Sequence, residues 1–151
     1  MKRLIAFALF LVCACACVPC LAGGAWIAVV PEAESLAKGE TVNVTVRLGW
    51  WEASPGFVLV RVAFDGKLLA LENAEALDGA VSSVNAEKDA VTFVYSPAVS
   101  QPGNAEADLI RLSFKAAKAG KCTVAPTITA VTDSRWVDIS AESTGTVITV
   151  R

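Results

Sequence analysis

The fold is decided by residues 41–48, which read Thr41-Val-Asn-Val-Thr-Val-Arg-Leu48. Polar and apolar side chains alternate at every step of this stretch. Because successive side chains of an extended strand point to opposite faces, the pattern predicts a β-strand with one buried and one solvated face. The predicted buried face carries Val42, Val44, Val46 and Leu48.

The same alternation recurs along the rest of the chain. It predicts further strands at residues 90–96, 109–115, 121–129 and 146–150, and two denser apolar stretches predict strands at residues 26–30 and 57–64. Turn-forming pairs such as Asp65-Gly66 and Asp78-Gly79 separate them. Short strands at this spacing, without long helical patterns, predict one all-β domain over residues 23–151, an antiparallel β-sandwich.

Residues 67–77 are the ambiguous part of this fold. They read Lys67-Leu-Leu-Ala-Leu-Glu-Asn-Ala-Glu-Ala-Leu77, a composition that favours a helix of about three turns. Our interpretation is a short strand over residues 68–71, followed by a loop or a single turn. The helix remains the alternative.

The first 22 residues have the composition of a secretory signal peptide. Lys2 and Arg3 precede an apolar run that ends at Pro19, and small residues near Ala22 suit cleavage by a signal peptidase. A membrane-spanning anchor is the alternative, but the run is shorter than the roughly 20 residues that a span requires. The sequence therefore predicts a secreted protein whose mature chain begins near residue 23.

Cysteine positions give two further expectations. Four of the five cysteines lie in the predicted signal peptide, and Val12-Cys13-Ala14-Cys15 loosely resembles a lipoprotein signal. A lipid anchor at Cys15 is therefore an alternative to free secretion. The fifth, Cys122, cannot form an internal disulfide in the mature chain. Alternation places it on the inner face of its strand, which predicts a buried and unreactive thiol; an exposed thiol that links two chains is the alternative.

Charge and composition argue against several classes of function. Residues 1–22 hold two of the 13 cations and none of the 15 acids, so without them the formal charge of −2 becomes −4. No basic run is present, which argues against a nucleic-acid partner. The chain has no histidine, and therefore no Ser-His or Cys-His pair and no typical zinc site.

A carboxylate pair is the remaining route to catalysis, because two carboxylates can hydrolyse a glycoside. The candidates fall in predicted turns or at strand ends, where carboxylates are ordinarily solvated: Glu52, Asp65, Glu72 and Asp89. We therefore predict no enzyme, no cofactor and no metal.

Four motifs occur in an order that resembles the cohesin domain. They are Gly39-Glu-Thr-Val-Asn-Val-Thr-Val46, Phe64-Asp-Gly-Lys-Leu68, Leu109-Ile-Arg-Leu-Ser-Phe-Lys115 followed by Ala119-Gly120, and Gly145-Thr-Val-Ile-Thr-Val150. The resemblance covers essentially all of residues 23–151. It implies a nine-stranded jelly-roll sandwich, related to carbohydrate-binding modules, that is secreted and binds without catalysis. It also implies a protein partner, a dockerin carried by a polysaccharide-degrading enzyme.

Residues 57–64 carry the candidate docking surface. Their predicted inner face holds Val58, Val60, Val62 and Phe64, and their outer face holds Phe57, Leu59, Arg61 and Ala63. A strand that is apolar on both faces is covered on both, either by a loop such as the Trp50-Trp51 pair or by a partner. The resemblance implies dockerin contacts on this strand, with polar residues where this chain has Phe57 and Leu59. That departure predicts a more apolar interface, a shielded sheet or a different partner.

Two neighbouring features extend this surface or offer a second one. If residues 91, 93 and 95 face the core, Thr92 and Val94 point outward and extend the same apolar surface. Continued alternation buries Trp50 and turns Trp51 outward, as a partner anchor, a sugar-stacking ring or a cover for Phe57 or Leu59. The predicted partner-binding residues are therefore Trp51, Phe57, Leu59, Arg61, Thr92 and Val94.

The leading prediction is a secreted, non-catalytic module that docks a protein partner, such as a dockerin-bearing enzyme of polysaccharide breakdown. The alternative is a carbohydrate-binding module that stacks sugars on exposed tryptophan. A structural surface domain with no small partner is the third interpretation.

Overall fold

The alternating stretches all form β-strands in the computed structural model, which describes residues 23–151. This part of the chain contains eleven strands and no helix. The strands are β1 (Gly24–Pro31), β2 (Ser35–Leu36), β3 (Thr41–Trp50), β4 (Phe57–Ala63), β5 (Leu69–Ala76), β6 (Val81–Ala86), β7 (Ala90–Tyr95), β8 (Ala105–Ala116), β9 (Gly120–Thr132), β10 (Ser140–Thr144) and β11 (Thr146–Val150). The predicted signal peptide and the candidate lipidation site at Cys15 lie outside the described residues. Between residues 23 and 151 there is accordingly no helix long and apolar enough to cross a membrane.

Two sheets form the sandwich. The five-stranded sheet has the order β10-β1-β3-β8-β5, and the six-stranded sheet has the order β2-β11-β9-β4-β7-β6. Most neighbouring strands are antiparallel, as predicted, but β1 pairs with β10 and β2 pairs with β11 in parallel. The predicted sandwich is therefore confirmed, and its sheets contain two parallel pairs among otherwise antiparallel neighbours.

Both parallel pairs arise where the chain changes sheets near its C-terminus. Only Gly145 separates β10 in one sheet from β11 in the other, so the chain crosses over without a hairpin. A Cβ at Gly145 would lie 2.6 Å from the carbonyl oxygen of Val124, which explains glycine at the crossing. β10 and β11 each then lie beside an N-terminal strand that runs in the same direction.

The strands that the sequence pattern missed are β2, β6 and β10, which are all edge strands. An edge strand pairs on one side and buries few side chains, so its sequence need not alternate. β6 is exposed along most of its length, and its pairing with β7 shifts register between Ser82 and Asn85. The predicted nine strands therefore become eleven in residues 23–151.

The ambiguous segment is a strand, and the helix alternative was wrong. β5 pairs with β8 as far as Ala76, further than the predicted end at residue 71. Its polar residues lie on an exposed sheet edge, so pairing with β8 overrides their helical preference. Asp65 starts the segment with a turn, because its Oδ1 accepts a hydrogen bond from the Lys67 N–H at 2.9 Å.

The core between the sheets is the one that alternation predicts. The inner residues of β3 from Val42 to Leu48 and the three inner valines of β4 are at most 2% exposed. Phe64 packs edge-on against Phe114 with ring centroids 4.8 Å apart. Trp50 is 4% exposed, which confirms its predicted place in the core. Because side chains fill the interior, any ligand or partner must bind on the outer faces of the two sheets.

Candidate functional site

The outer surface of strands β4 and β7 lies near the middle of the six-stranded sheet. β4 lies between β7 and β9, and the register places Leu59 opposite Val94 and Arg61 opposite Thr92. Residues directly opposite each other in a sheet share a face. Five predicted site residues thus come together, and we call this surface the β4–β7 face: Phe57, Leu59, Arg61, Thr92 and Val94.

The β4–β7 face is apolar at its centre and remains open to solvent. Phe57, Leu59 and Val94 are half-buried, and Arg61 is exposed. On the β9 side, Ala130 lies opposite Leu59 and continues the apolar surface. Arg61 approaches Glu87 at 3.6 Å, but about half of each side chain is exposed. A pair this solvated contributes little to stability, so the guanidinium is available at the rim.

Trp136 stands at one end of the β4–β7 face. Its side chain is 72% exposed, and its ring centroid lies 5.8 Å from that of Phe57 at an interplanar angle of 40°. Its backbone has a φ of +65°, a left-handed conformation that costs a bulky residue about 1–2 kcal/mol. An indole this exposed stabilises the core little, so core packing does not explain why the chain holds Trp136 in a costly backbone conformation.

The loop that holds Trp136 is organised by the carboxylate of Asp133. Its Oδ1 accepts hydrogen bonds from the N–H groups of Arg135 at 2.7 Å and Val137 at 3.1 Å. Its Oδ2 accepts from the Arg135 guanidinium at 2.8 Å and 3.0 Å. The Val137 N–H, and then the Arg135 side chain, hold the pKa of the Asp133 carboxyl below its usual value. This ionised side chain is the cap that fixes the loop.

A cleft lies beside this loop. Its volume is about 190 Å³, and its lining includes Ser96, Pro97, Ser100 and Trp136. A Cβ at Gly56 would lie 2.6 Å from the carbonyl oxygen of Asp133, so glycine lets the loop lie close to the start of β4. Trp136 thus lies between the β4–β7 face and this cleft, which is large enough to hold a side chain of a partner.

Sequence reasoning did not place Trp136 at this site. The available signal was the turn sequence Asp133-Ser-Arg directly before an indole, outside any alternating stretch. Asp at the start of a turn bonds backbone N–H groups two residues on, which predicts an ordered loop. The contact of the Trp136 ring with Phe57 depends on how β9 pairs with β4. The local sequence does not determine that pairing.

Trp51 points outward as predicted and is 44% exposed, but it lies on the other sheet. Its N–H donates to the Gly24 carbonyl at 2.9 Å, which prolongs the pairing of β1 with β3. Its ring contacts Gly24, on the outer face of the five-stranded sheet. Trp51 therefore does not cover Phe57 or Leu59, and the structure does not bring it together with the other five predicted site residues.

Two of the carboxylates considered for catalysis have structural roles. Asp65 accepts a hydrogen bond from the Lys67 N–H, and Asp89 accepts one from the Gly66 N–H at 3.0 Å, so both carboxylates stabilise the same turn. Residues 23–151 hold no group of three or more His, Cys, Asp or Glu side chains arranged for a metal ion.

Comparison with known proteins finds similar folds among solved structures. No known family model matches the chain, and no curated protein matches it. CaCohA2 of Clostridium acetobutylicum, in complex with CaDoc0917, superposes with a TM-score of 0.70 at 19% identity, over 84% of this chain and 99% of that one. The non-cellulosomal cohesin of the archaeon Archaeoglobus fulgidus gives 0.68 at 11% identity, over 85% and 91%. This chain has the cohesin fold.

A third cohesin was solved with its partner. It belongs to a type II cohesin–X-dockerin complex from Acetivibrio cellulolyticus, and it gives a TM-score of 0.60 at 10% identity, over 84% of this chain and 99% of that one. Because these identities are low, the shared property is the cohesin fold, a β-sandwich jelly-roll. The fold predicted from the four motifs is confirmed.

Proposed function

We propose that residues 23–151 form a secreted, non-catalytic docking module that binds a protein partner on the β4–β7 face, with Trp136 at its edge. The observation that carries the proposal is an exposed indole, held in a costly backbone conformation, beside a half-exposed apolar strand. The cohesin fold supports a protein partner, because a cohesin of the same fold was solved in complex with a dockerin.

The arrangement of side chains suits a protein interface. Phe57, Leu59 and Val94 form an apolar centre, while Arg61 and Glu87 supply charges at the rim. Interfaces gain most of their binding energy from central aromatic and apolar anchors, and rim charges mainly steer association. The partner is a dockerin carried by a polysaccharide-degrading enzyme, and the surface that meets Phe57 and Leu59 is apolar.

The test is capture of the partner from culture supernatant by the immobilised protein. The unchanged protein is expected to recover a dockerin-bearing enzyme in a calcium-dependent manner. Leu59→Asp should weaken binding by about tenfold or more, because it places an unpaired carboxylate in a buried apolar contact. Trp136→Ala should weaken it comparably while the domain stays folded, since the ring is largely exposed.

Val147→Asp is the matched control. Val147 is 48% exposed on β11 and lies opposite Thr123, on the same outer surface but two strands from β4. This variant should bind like the unchanged protein. Equal capture by Leu59→Asp and the unchanged protein would remove the β4–β7 face from the interface, and recovery of no calcium-dependent partner would remove the dockerin.

A further inference from the structure

Two tryptophans share the outer face of the five-stranded sheet, and each lies over a glycine of the neighbouring strand. Trp26 on β1 is directly opposite Gly49 on β3, and a Cβ at Gly49 would overlap three adjacent indole atoms of Trp26, Cε2, Cζ2 and Nε1. Trp51 follows β3, and a Cβ at Gly24 would lie 2.9 Å and 3.0 Å from its Cε3 and Cζ3 atoms. Thus the tryptophan of β1 covers a glycine of β3, and the tryptophan that follows β3 covers a glycine of β1.

The glycines allow these rings to lie low on the sheet. At Gly49 a side chain would overlap the Trp26 ring and displace it, whereas glycine leaves room for the ring to lie close to the backbone. The core does not use either ring, because Ala25, Leu48 and Trp50 fill the inner side of the same strands. Trp26 is half-buried and Trp51 is 44% exposed, so both keep surface in solvent.

Polar side chains flank the indoles on both sides. Trp26 lies opposite Glu142 on β10, and Gly49 lies opposite Glu106 on β8, so one transverse row reads carboxylate, indole, glycine, carboxylate. In the next row Arg47 donates to Asp108 at 2.7 Å and approaches Glu106 at 3.7 Å. Hydrogen-bond acceptors and a guanidinium thus border the aromatic surface.

We propose that this surface, the tryptophan platform formed by Trp26, Trp51, Arg47, Glu106 and Glu142, binds a neutral glycan chain. Sugar rings stack on the two indoles, and sugar hydroxyls bond to the flanking carboxylates and guanidinium. An indole offers a broad apolar face, which suits the flat underside of a pyranose ring.

The charges favour a neutral, hydroxyl-rich ligand over a protein. A dry protein interface would have to desolvate several carboxylates at once, which is costly unless each is paired. Hydroxyl groups can bond to those carboxylates without any countercharge and in a partly wet site. The platform carries Glu106, Asp108 and Glu142 against Arg47, and this negative excess disfavours an acidic glycan.

The test is affinity electrophoresis in gels that contain hydroxyethyl cellulose, xyloglucan or galactomannan, together with pull-down on insoluble cellulose and chitin. The unchanged protein should be retarded or retained by at least one of these neutral glycans. Trp51→Ala should weaken that binding by about tenfold or more, because it removes half of the stacking surface. Glu142→Gln, which keeps shape but removes charge, should weaken it more modestly.

Trp136→Ala is the matched control, since it removes an exposed tryptophan from the opposite side of the sandwich. It should leave glycan binding unchanged, and thermal unfolding should show that all three variants are folded. Binding to none of the neutral glycans, or equal retardation of Trp51→Ala and the unchanged protein, would overturn the proposal. Partner capture uses the β4–β7 face, so failure here leaves the proposed docking function untouched.

Discussion

At the scale of single residues, Cys122 shows how far alternation alone can assign a side chain. The thiol is 1% exposed, as its place in the 121–129 pattern predicts, and it lies 3.8 Å from the Thr123 carbonyl oxygen. Burial raises the pKa of the Cys122 thiol, which keeps it protonated and unreactive at neutral pH. The exposed-thiol alternative is wrong for the folded domain.

Cys122 should therefore react slowly with iodoacetamide in native protein and at the normal rate in urea. Native material should run as one chain on a non-reducing gel. Cys122→Val should change the free energy of unfolding by less than about 1.5 kcal/mol, because it keeps a small apolar side chain. Labelling at equal rates in native and unfolded protein would contradict this prediction.

Residue orientation on the β4–β7 face was also predictable, but the neighbours of each aromatic ring were not. Alternation is a local property, so it correctly turned Leu59, Arg61 and Val94 outward. The rings of Trp51 and Trp136 extend from segments outside the strands, and no local period says which sheet they meet. Trp51 was therefore linked to the wrong strand, and Trp136 was passed over.

At the scale of elements, the sequence pattern predicted the central strands and missed three of the four edge strands. β3, β4, β7 and β8 have a buried face and alternate clearly, whereas β2, β6 and β10 pair on one side and do not. In β5 the tertiary context overrides local preference: the residues favour a helix, but pairing with β8 makes them a strand. The crossing at Gly145 produced the parallel pairs, which depend on contacts far apart in the chain.

The order of the loop of residues 133–137 should depend on pH, because the carboxylate of Asp133 accepts its hydrogen bonds. The pKa of Asp133 is lowered in the folded state, so its stabilising effect is fully present above the ordinary carboxyl pKa of about 4 and is lost as pH falls through the folded value. Amide exchange at Val137 should therefore speed up relative to the β-strands at acid pH. NMR-detected hydrogen exchange, corrected for the intrinsic pH dependence, measures this difference.

Asp133→Asn provides the comparison for that experiment, because its amide oxygen can still accept the backbone bonds but does not titrate. Protection of Val137 in this variant should not depend on the carboxyl titration. If the variant and the unchanged protein lose protection over the same pH range, the carboxylate of Asp133 is not the cap that orders Trp136.

At the scale of the whole molecule, the sandwich turns its two candidate surfaces away from each other. The β4–β7 face belongs to the six-stranded sheet, and the tryptophan platform belongs to the five-stranded sheet. A packed core about 10 Å thick separates two such sheets. The covalent link between the surfaces is short, since the chain passes from Trp136 to Ser140, which pairs with Gly24 beneath the ring of Trp51.

This geometry predicts that protein partner and glycan bind at the same time. Partner affinity measured by calorimetry at saturating glycan should match that without glycan within about twofold, because sites without shared contacts have additive free energies. The double variant Leu59→Asp/Trp51→Ala should lose both activities by the amounts of the single variants. Competition between the ligands would place them on one surface. Cooperativity between the two ligands would likewise contradict independent sites and would indicate coupling through the core or through the connection from Trp136 to Ser140.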